Sequence, residues 1–225
     1  MARTAKQTRP QLVCVLADSS GSMSGAKAQA ATNGIREMLM ACQSRGPAGP
    51  DRSYFKLLLV RFGDRAVLDT ECDMTPVRMI DPDSITIEGD GGGTNITDAL
   101  QVTLDRLRPY MKSLELHPER AEHPLPIVIL FSDGEHNQEG IPPQVVADAI
   151  KKLSLDSDPV VIVVAGVAIG GGQPPDEMAL RAIASTECYI PITNADLLDR
   201  FIASVGSSGA SGANEIRKII KTVTE

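Results

Sequence analysis

Tryptophan is absent from this chain, and aromatic residues make up only 3% of its 225 residues. A length that fits one large α/β domain must therefore fill its core with Val, Ile, Leu, Ala and Met. Basic residues are also short, 22 Lys and Arg against 29 Asp and Glu, for a formal net charge of −7. That balance argues against nucleic acid or an anionic membrane as the main partner, although a small local basic patch is compatible with it. The four Cys, at 14, 42, 72 and 188, form no C-x-x-C pair, and no His stands at zinc-finger spacing from them. They read as small buried hydrophobes, and reduced thiols fit a cytoplasmic location. No apolar run is long enough to span a bilayer, since Val160 to Ile169 is half of the roughly 20 residues a helix needs. Arg3, Lys6 and Arg9 before Leu12 to Ala17 have the charge order of a signal peptide, but the apolar part is too short and is needed as a strand. Phosphate-binding loops are missing as well. There is no G-x-x-x-x-G-K-[ST], no G-x-G-x-x-G follows the first strand, and Gly166 to Gly172 reads as a turn after a late one.

What the chain does have is the stretch Ala17-Asp18-Ser19-Ser20-Gly21-Ser22-Met23-Ser24-Gly25. An apolar run, Leu12 to Leu16, precedes it, and a helical pattern starts near Lys27. A strand ending at Asp18 and turning through Ser20 and Gly21 puts Asp18, Ser20 and Ser22 on one rim, at the carboxyl end of a buried strand. Open α/β sheets place their ligands there. One carboxylate and two hydroxyls are all oxygen donors, which suits a hard cation such as Mg²⁺. Taken alone, the stretch reads first as a Ser-rich turn that caps a helix.

Two further segments add donors. Gly91-Gly92-Gly93-Thr94-Asn95 offers a hydroxyl at a turn that three glycines make flexible, just before a helix. Phe131-Ser132-Asp133-Gly134-Glu135 ends a second apolar strand, Ile127 to Phe131, with another carboxylate. A D-x-S-x-S loop, a Gly-Gly-Thr loop and a strand-end S-D-G, in that order, resemble the metal-ion-dependent adhesion site of von Willebrand factor type A (VWA) domains. The resemblance runs from about Pro10 to about Ser208 and maps Asp18, Ser20, Ser22, Thr94 and Asp133 onto the family's five liganding positions. It implies a bound Mg²⁺, with Mn²⁺ as the alternative, and a protein partner that supplies an acidic side chain to the metal. The Ser-Gly-Ser-Met-Ser-Gly loop and the compact chain look most like the bacterial cytoplasmic group that includes TerY-like tellurite-resistance proteins. That likeness implies protein kinase and PP2C-type phosphatase components as company, in a stress-response or phosphorylation-signalling system.

Taken in order, residues 1–9 are polar and expected to be loose, with a composition like that of a histone tail. Residues 10–206 form the expected VWA domain, and residues 207–225 a linker and a short amphipathic helix. Ile35, Met38, Leu39 and Cys42 mark a helix face, ended by the breakers of Arg45 to Pro50. Tyr54 to Phe62 reads as a strand, and Gly63-Asp64-Arg65 turns it into Ala66 to Leu68, an antiparallel edge. Asp69 to Asp90, with two prolines, reads as irregular and skirting the metal rim. Ile96, Ala99, Leu100, Thr103, Leu104 and Leu107 recur at helical spacing, and His117 to Pro124 is a charged connector. After Asp133, Pro142 and Pro143 open a helix carrying Val146, Ala149, Ile150 and Leu153. A buried strand follows at Val160 to Ile169, then a helix facing inward through Met178, Ala179, Ala182 and Ile183. A short strand at Tyr189 to Ile192 precedes a closing helix on Leu198, Phe201, Ile202 and Val205. Past the Ser/Gly linker of 207–212, Ile216, Ile219, Ile220 and Val223 make a last face, docked on the domain or free as a partner handle. Strands alternating with helical patterns predict an α/β fold: a doubly wound, mainly parallel sheet with one antiparallel edge strand.

Enzymatic readings fare worse. A hydrolase using Ser20 or Ser22 with Asp133 and His136 lacks the nucleophile elbow, because Asp18 and Ser22 stand where glycines are required. His136 also follows Asp133 by too few residues to return to it on a loop. A Mg²⁺-dependent hydrolase or phosphotransferase is the alternative to a binding module, but such sites use a denser set of carboxylates or a placed base. Beside Asp133 the only extra acid is Glu135, which surface solvation explains. No residue is assigned a catalytic role.

Overall fold

A computed structural model of the chain describes residues 10–44, 55–115, 125–134, 136–155, 158–169, 174–194, 197, 201 and 213–224. The histone-like start, the breakers of 45–50, the connector 117–124, Glu135, Gly170 to Gly172, the linker of 207–212 and most of the closing helix lie outside these residues.

The central strand β1 (Gln11–Asp18) is buried at every position. Its neighbours are β2 (Phe55–Phe62) on one side and β4 (Ile127–Ser132) on the other, both parallel to it. Outside β4 lie β7 (Val161–Val167) and then β8 (Tyr189–Ile192), again parallel. A two-residue hairpin, β5 (Ser154–Leu155) with β6 (Asp158–Pro159), stands apart. With β3 (Ala66–Pro76) outside β2, the main sheet has six strands in the order β3-β2-β1-β4-β7-β8. Only β3, paired with β2, is antiparallel. The continuous apolar runs of β1, β4 and β7 follow from this, because a parallel strand with both faces covered has no solvent side to keep polar.

Alternate residues of β1 serve two separate cores. Val13, Val15 and Ala17 pack with Ile35, Met38 and Leu39 of α1 (Ala26–Gln43) and with Ile216 and Ile220 of α5 (Ala213–Thr224). Leu12, Cys14 and Leu16 pack with Leu100, Leu104 and Leu107 of α2 (Ile96–Glu115) and with Val146 and Ile150 of α3 (Pro143–Lys151). On this second face Leu180 and Ile183 of α4 (Glu177–Ile183) are buried, while Met178 is 85% exposed. The inward face of α4 is thus offset from the one expected, in which Met178 and Ala182 pointed to the core. Helices on both faces of a mainly parallel sheet make the fold doubly wound.

The edge strand also departs from expectation. It runs on to Pro76, where the sequence reading stopped at Leu68 and took the rest as irregular. Asp69, Thr70, Glu71 and Asp73 look like a loop, but an edge strand tolerates polar residues because one side of it meets water. Only Cys72 of this half is buried, and the register with β2 shifts near Leu58. The segment beyond β3 is held by side chains of α1. Gln43 Nε2 donates to the carbonyls of Val77 and Ile80 at 2.8 and 2.7 Å, and Arg36 Nε donates to that of Ile85 at 2.9 Å. These bonds satisfy backbone groups that no ladder reaches, while Ile80, Ile85 and Ile87 fill the α1-side core.

Candidate metal centre

Parallel register brings the polar ends together. Asp18 pairs with Phe62 across β1 and β2, and Ala17 pairs with Phe131 across β1 and β4. Asp18 is therefore level with Ser132, and Asp133 lies one residue beyond. Chain order runs outward from β1 in opposite directions here, through β2 on one side and β4 on the other. Such a reversal opens a crevice at the carboxyl ends of the strands.

Asp18 is 0% exposed. Its Oδ1 accepts the Ser20 N–H at 2.9 Å, and its Oδ2 accepts the Ser132 hydroxyl at 2.6 Å. The first bond bends the chain back over the strand end and sends it into a 3-10 turn (Gly21–Met23), with Met23 buried beneath. Ser20 is buried and Ser22 exposed, with their hydroxyl oxygens 3.1 Å apart. Burial pushes the Asp18 carboxyl up to about 6, its two serine partners pull it down, and the charge of Asp133 adds to the rise. A cation in the crevice acts against that rise, because it favours the ionised form.

The loop of Gly91 to Thr94 is fastened rather than free. Gly91 N–H donates to the Ser19 carbonyl at 2.8 Å, and the Gly92 carbonyl accepts from Gly21 N–H at 2.9 Å. Gly93 N–H reaches Asp64 Oδ1 at 2.8 Å, and Thr94 N–H reaches Asn137 Oδ1 at 2.9 Å. A Cβ on Gly93 would stand 2.7 Å from both Asp64 Oδ1 and Asn137 Oδ1, and one on Gly63 would collide with the Gly91 backbone. The glycines serve close approach of backbones, where the sequence suggested mobility. Thr94 is buried two residues beyond the Gly92–Gly21 contact.

Asp133 is 2% exposed and follows β4 directly. Its Oδ2 lies 2.9 Å from Lys27 Nζ, while its buried Oδ1 has no hydrogen-bond partner. The main chain around it is held by Asp176 N–H to the Asp133 carbonyl at 2.9 Å and Gly134 N–H to Ser132 Oγ at 3.0 Å. Burial lowers the basicity of His136, against backbone hydrogen bonds with Thr94 and Gln138. Among the described residues no hydrogen bond joins His136 to Ser20, Ser22 or Asp133.

The five residues mapped from the sequence thus belong to three loops tied to one another at the sheet's carboxyl edge. Sequence reasoning missed Ser132, Lys27 and Asn137, which position Asp18, Asp133 and Thr94. Among the described residues no group of three or more His, Cys, Asp or Glu is placed to hold a metal. The rim has two carboxylates and owes its other donors to hydroxyls. A hard divalent cation fits this set. All donors are oxygen, and an unpartnered buried carboxylate oxygen is costly unless a cation or donor meets it. Two clefts flank the rim. One of about 370 Å³ is lined by Ser19, Arg61, Ser84, Thr86, Glu88 and Asp90, and one of about 440 Å³ runs from Gly134 and His136 to Pro143 and Ala179.

A family model described as the von Willebrand factor type A domain matches residues 13–201. No curated protein sequence matches the chain significantly. Among solved structures the chain is similar to proximal thread matrix protein 1 from the mussel byssus with a zinc-occupied MIDAS motif. The identity is 20% and the TM-score 0.58, over 88% of this chain and 48% of that one. It is similar to a von Willebrand factor type A structure from Catenulispora acidiphila at 14% identity and TM-score 0.57, over 89% of this chain and 43% of that one. Against manganese-loaded Plasmodium vivax TRAP protein the values are 18% and 0.51, over 84% and 71%. The chain spans less than half the length of the mussel and Catenulispora structures. Likeness at these identities is likeness of fold.

Proposed function

The chain belongs to the von Willebrand factor type A domain family, and from that premise we propose that it is a metal-dependent protein-binding module. Asp18, Ser20, Ser22, Thr94 and Asp133 are its ligand set, directly or through water, with Mg²⁺ or Mn²⁺ as the cation. The observation that carries this reading is Asp133 Oδ1, buried and unpartnered beside Asp18 in a rim made only of oxygen donors. A divalent cation held there supplies a Lewis-acidic centre with at least one coordination position left for an incoming group, since Mg²⁺ takes six oxygens. The chain's own residues do the rest. Ser132 and the Ser20 N–H aim Asp18, Asn137 fixes Thr94, and Ser22 stands exposed at the mouth.

The partner, in this reading, presents an Asp or Glu, whose charge-assisted bond a neutral amide does not match. The net charge of −7 opposes its approach, but salt at physiological strength screens such repulsion beyond about 8 Å. The finer reading follows the Ser-Gly-Ser-Met-Ser-Gly resemblance. It makes this a cytoplasmic bacterial protein of the TerY-like tellurite-resistance group, working beside protein kinase and PP2C-type phosphatase components, and not an enzyme. Metal-bearing relatives of the same fold, zinc in one and manganese in another, support the choice of a divalent cation.

The test is capture from bacterial lysate on the immobilised chain. Binding of a partner should vanish with EDTA, return with Mg²⁺ or Mn²⁺, and be absent with Asp18→Asn. Changing the captured partner's exposed acids to amides one at a time should find one that abolishes metal-dependent binding. If none does, carboxylate coordination is ruled out. Turnover of generic phosphate or ester substrates that requires Mg²⁺ and Asp18 would favour a hydrolase instead.

A further inference from the structure

We propose that Lys27 sets the charge of this centre. Its ammonium holds one oxygen of Asp133, leaves the other for the cation, and keeps the loaded rim one positive charge above neutral, so that it draws an anionic group from the partner. The proposal rests on the metal-site reading above and concerns a residue outside the ligand set.

Lys27 is in an unfavourable place for a lysine. It lies in the first turn of α1, where the helix dipole disfavours a cation, and that turn holds no acidic residue. It is only 8% exposed, and an ammonium so buried is costly unless paired. What offsets both costs is Asp133 Oδ2 at 2.9 Å. A carboxylate has about four acceptor sites, and one buried for stability alone would have a donor at each oxygen. Here Oδ1 is left without a partner in a buried position.

The charges at the rim can be counted from its buried groups. Asp18 and Asp133 bring two negative charges and Lys27 one positive, so the buried set carries a single negative charge. A bound divalent cation then leaves one positive charge. Without Lys27 the loaded centre would be neutral and would hold a carboxylate less firmly. Asp64, Glu88 and Asp90 stand on neighbouring loops, but all three are exposed to solvent, where screening weakens their effect on the rim. The arrangement exchanges affinity for the bare cation against affinity for the cation together with an acid. Cation and acidic partner should therefore bind cooperatively.

Mn²⁺ affinity, read from the electron paramagnetic resonance signal of free Mn²⁺, tests this on the full chain. Lys27→Met removes the charge and keeps the stem, and Lys27→Arg keeps the charge. A unit charge about 6 Å from a divalent cation, at an effective dielectric constant near 20, predicts that Lys27→Met binds Mn²⁺ about 100-fold tighter or more. Lys27→Arg should stay within about three-fold of wild type on the same argument. Replacing chloride by acetate at equal ionic strength should tighten Mn²⁺ binding to wild type and have little effect on Lys27→Met. If Lys27→Met fails to fold by circular dichroism, Lys27→Gln makes the same comparison. Equal or weaker Mn²⁺ binding by the charge-removing variant, or an equal acetate effect on both proteins, overturns the role of Lys27 and leaves the site standing. Wild type that takes up no Mn²⁺ overturns both.

Discussion

Two acid–base pairs show what position does to the same chemistry. Arg106 and Asp73 meet at 3.2 Å beside the edge strand, their side chains 48% and 33% exposed. Lys27 and Asp133 meet at 2.9 Å at the sheet's carboxyl edge, their side chains 10% and 3% exposed. In the first, water satisfies whatever the pair leaves open, and such pairs contribute about 0–1 kcal/mol. In the second, the buried Oδ1 of Asp133 has no hydrogen-bond partner, a cost that a bound cation would offset. A surface pair adds a little stability, whereas a buried and incomplete one leaves a carboxylate oxygen open to a ligand.

The sharpest way to break this comparison is to convert each acid to its amide. Asp18→Asn or Asp133→Asn should abolish the rise in melting temperature produced by Mg²⁺, a loss of about 100-fold or more in affinity if a charge-assisted ligand is worth about 3 kcal/mol. The metal-free fold should survive Asp18→Asn, because that change also removes repulsion between two buried carboxylates. Asp133→Asn, in contrast, leaves the buried Lys27 without its ion-pair partner and should lower the metal-free melting temperature. A wild-type shift in either variant would remove that residue from the ligand set.

A smaller effect separates the two regions by pH. The ordinary carboxylate value is 3.8, and that of Asp18 is raised to about 6 in the metal-free protein. Protonation therefore competes with the cation, and affinity should fall as pH drops from 7 through 6, approaching ten-fold per unit below it. The linkage for the empty fold has the opposite sign. Because the folded value lies above the unfolded one, the stabilisation from this group is complete below pH 3.8 and is lost as pH rises through about 6. Melting curves with Mg²⁺ and with EDTA should therefore draw apart as pH rises from 5 to 7, and parallel curves would refute the assignment. The smallest effect belongs to the surface pair. Asp73→Asn should cost less than about 1 kcal/mol, shrink further in high salt and leave the Mg²⁺ shift unchanged. A larger loss would mean that the edge strand depends on that contact.

Much of the fold was legible because β1, β4 and β7 carry their burial in unbroken apolar runs, the first two ending in a carboxylate and the third followed by glycines. The place of Asp18 and Asp133 at the sheet's carboxyl edge was legible for the same reason, since they sit where the runs of β1 and β4 stop. What was hidden works through partners distant in the chain. Lys27 meets a residue 106 positions away and Ser132 one 114 positions away, and no local periodicity records such contacts. A lysine in a helix's first turn with no acid nearby was nonetheless a readable anomaly. The polar half of β3 was misread because its side chains match a loop, while its backbone pairs with β2. The glycines of 91–93 were legible as important but not as packed, because composition does not distinguish a loose loop from a tightly fastened one.

The four thiols give this fold a built-in clock. All are buried and none is in a disulfide: Cys14 in the central strand, Cys42 on α1, Cys72 in the edge strand, and Cys188 just before β8. Burial pushes the Cys72 thiol up to about 12, Cys188 to about 11 and Cys14 higher still, so these three are not ready to react while the layers stay closed. Each becomes alkylatable only when its own part of the structure opens, and opening free energies differ from region to region. The order in which the four take up a label is then a record of how the molecule comes apart. The edge strand's Cys72 should be marked first and Cys14, between two layers of helices, last. A divalent cation that ties the loops after β1 and β4 together should slow the last mark far more than the first.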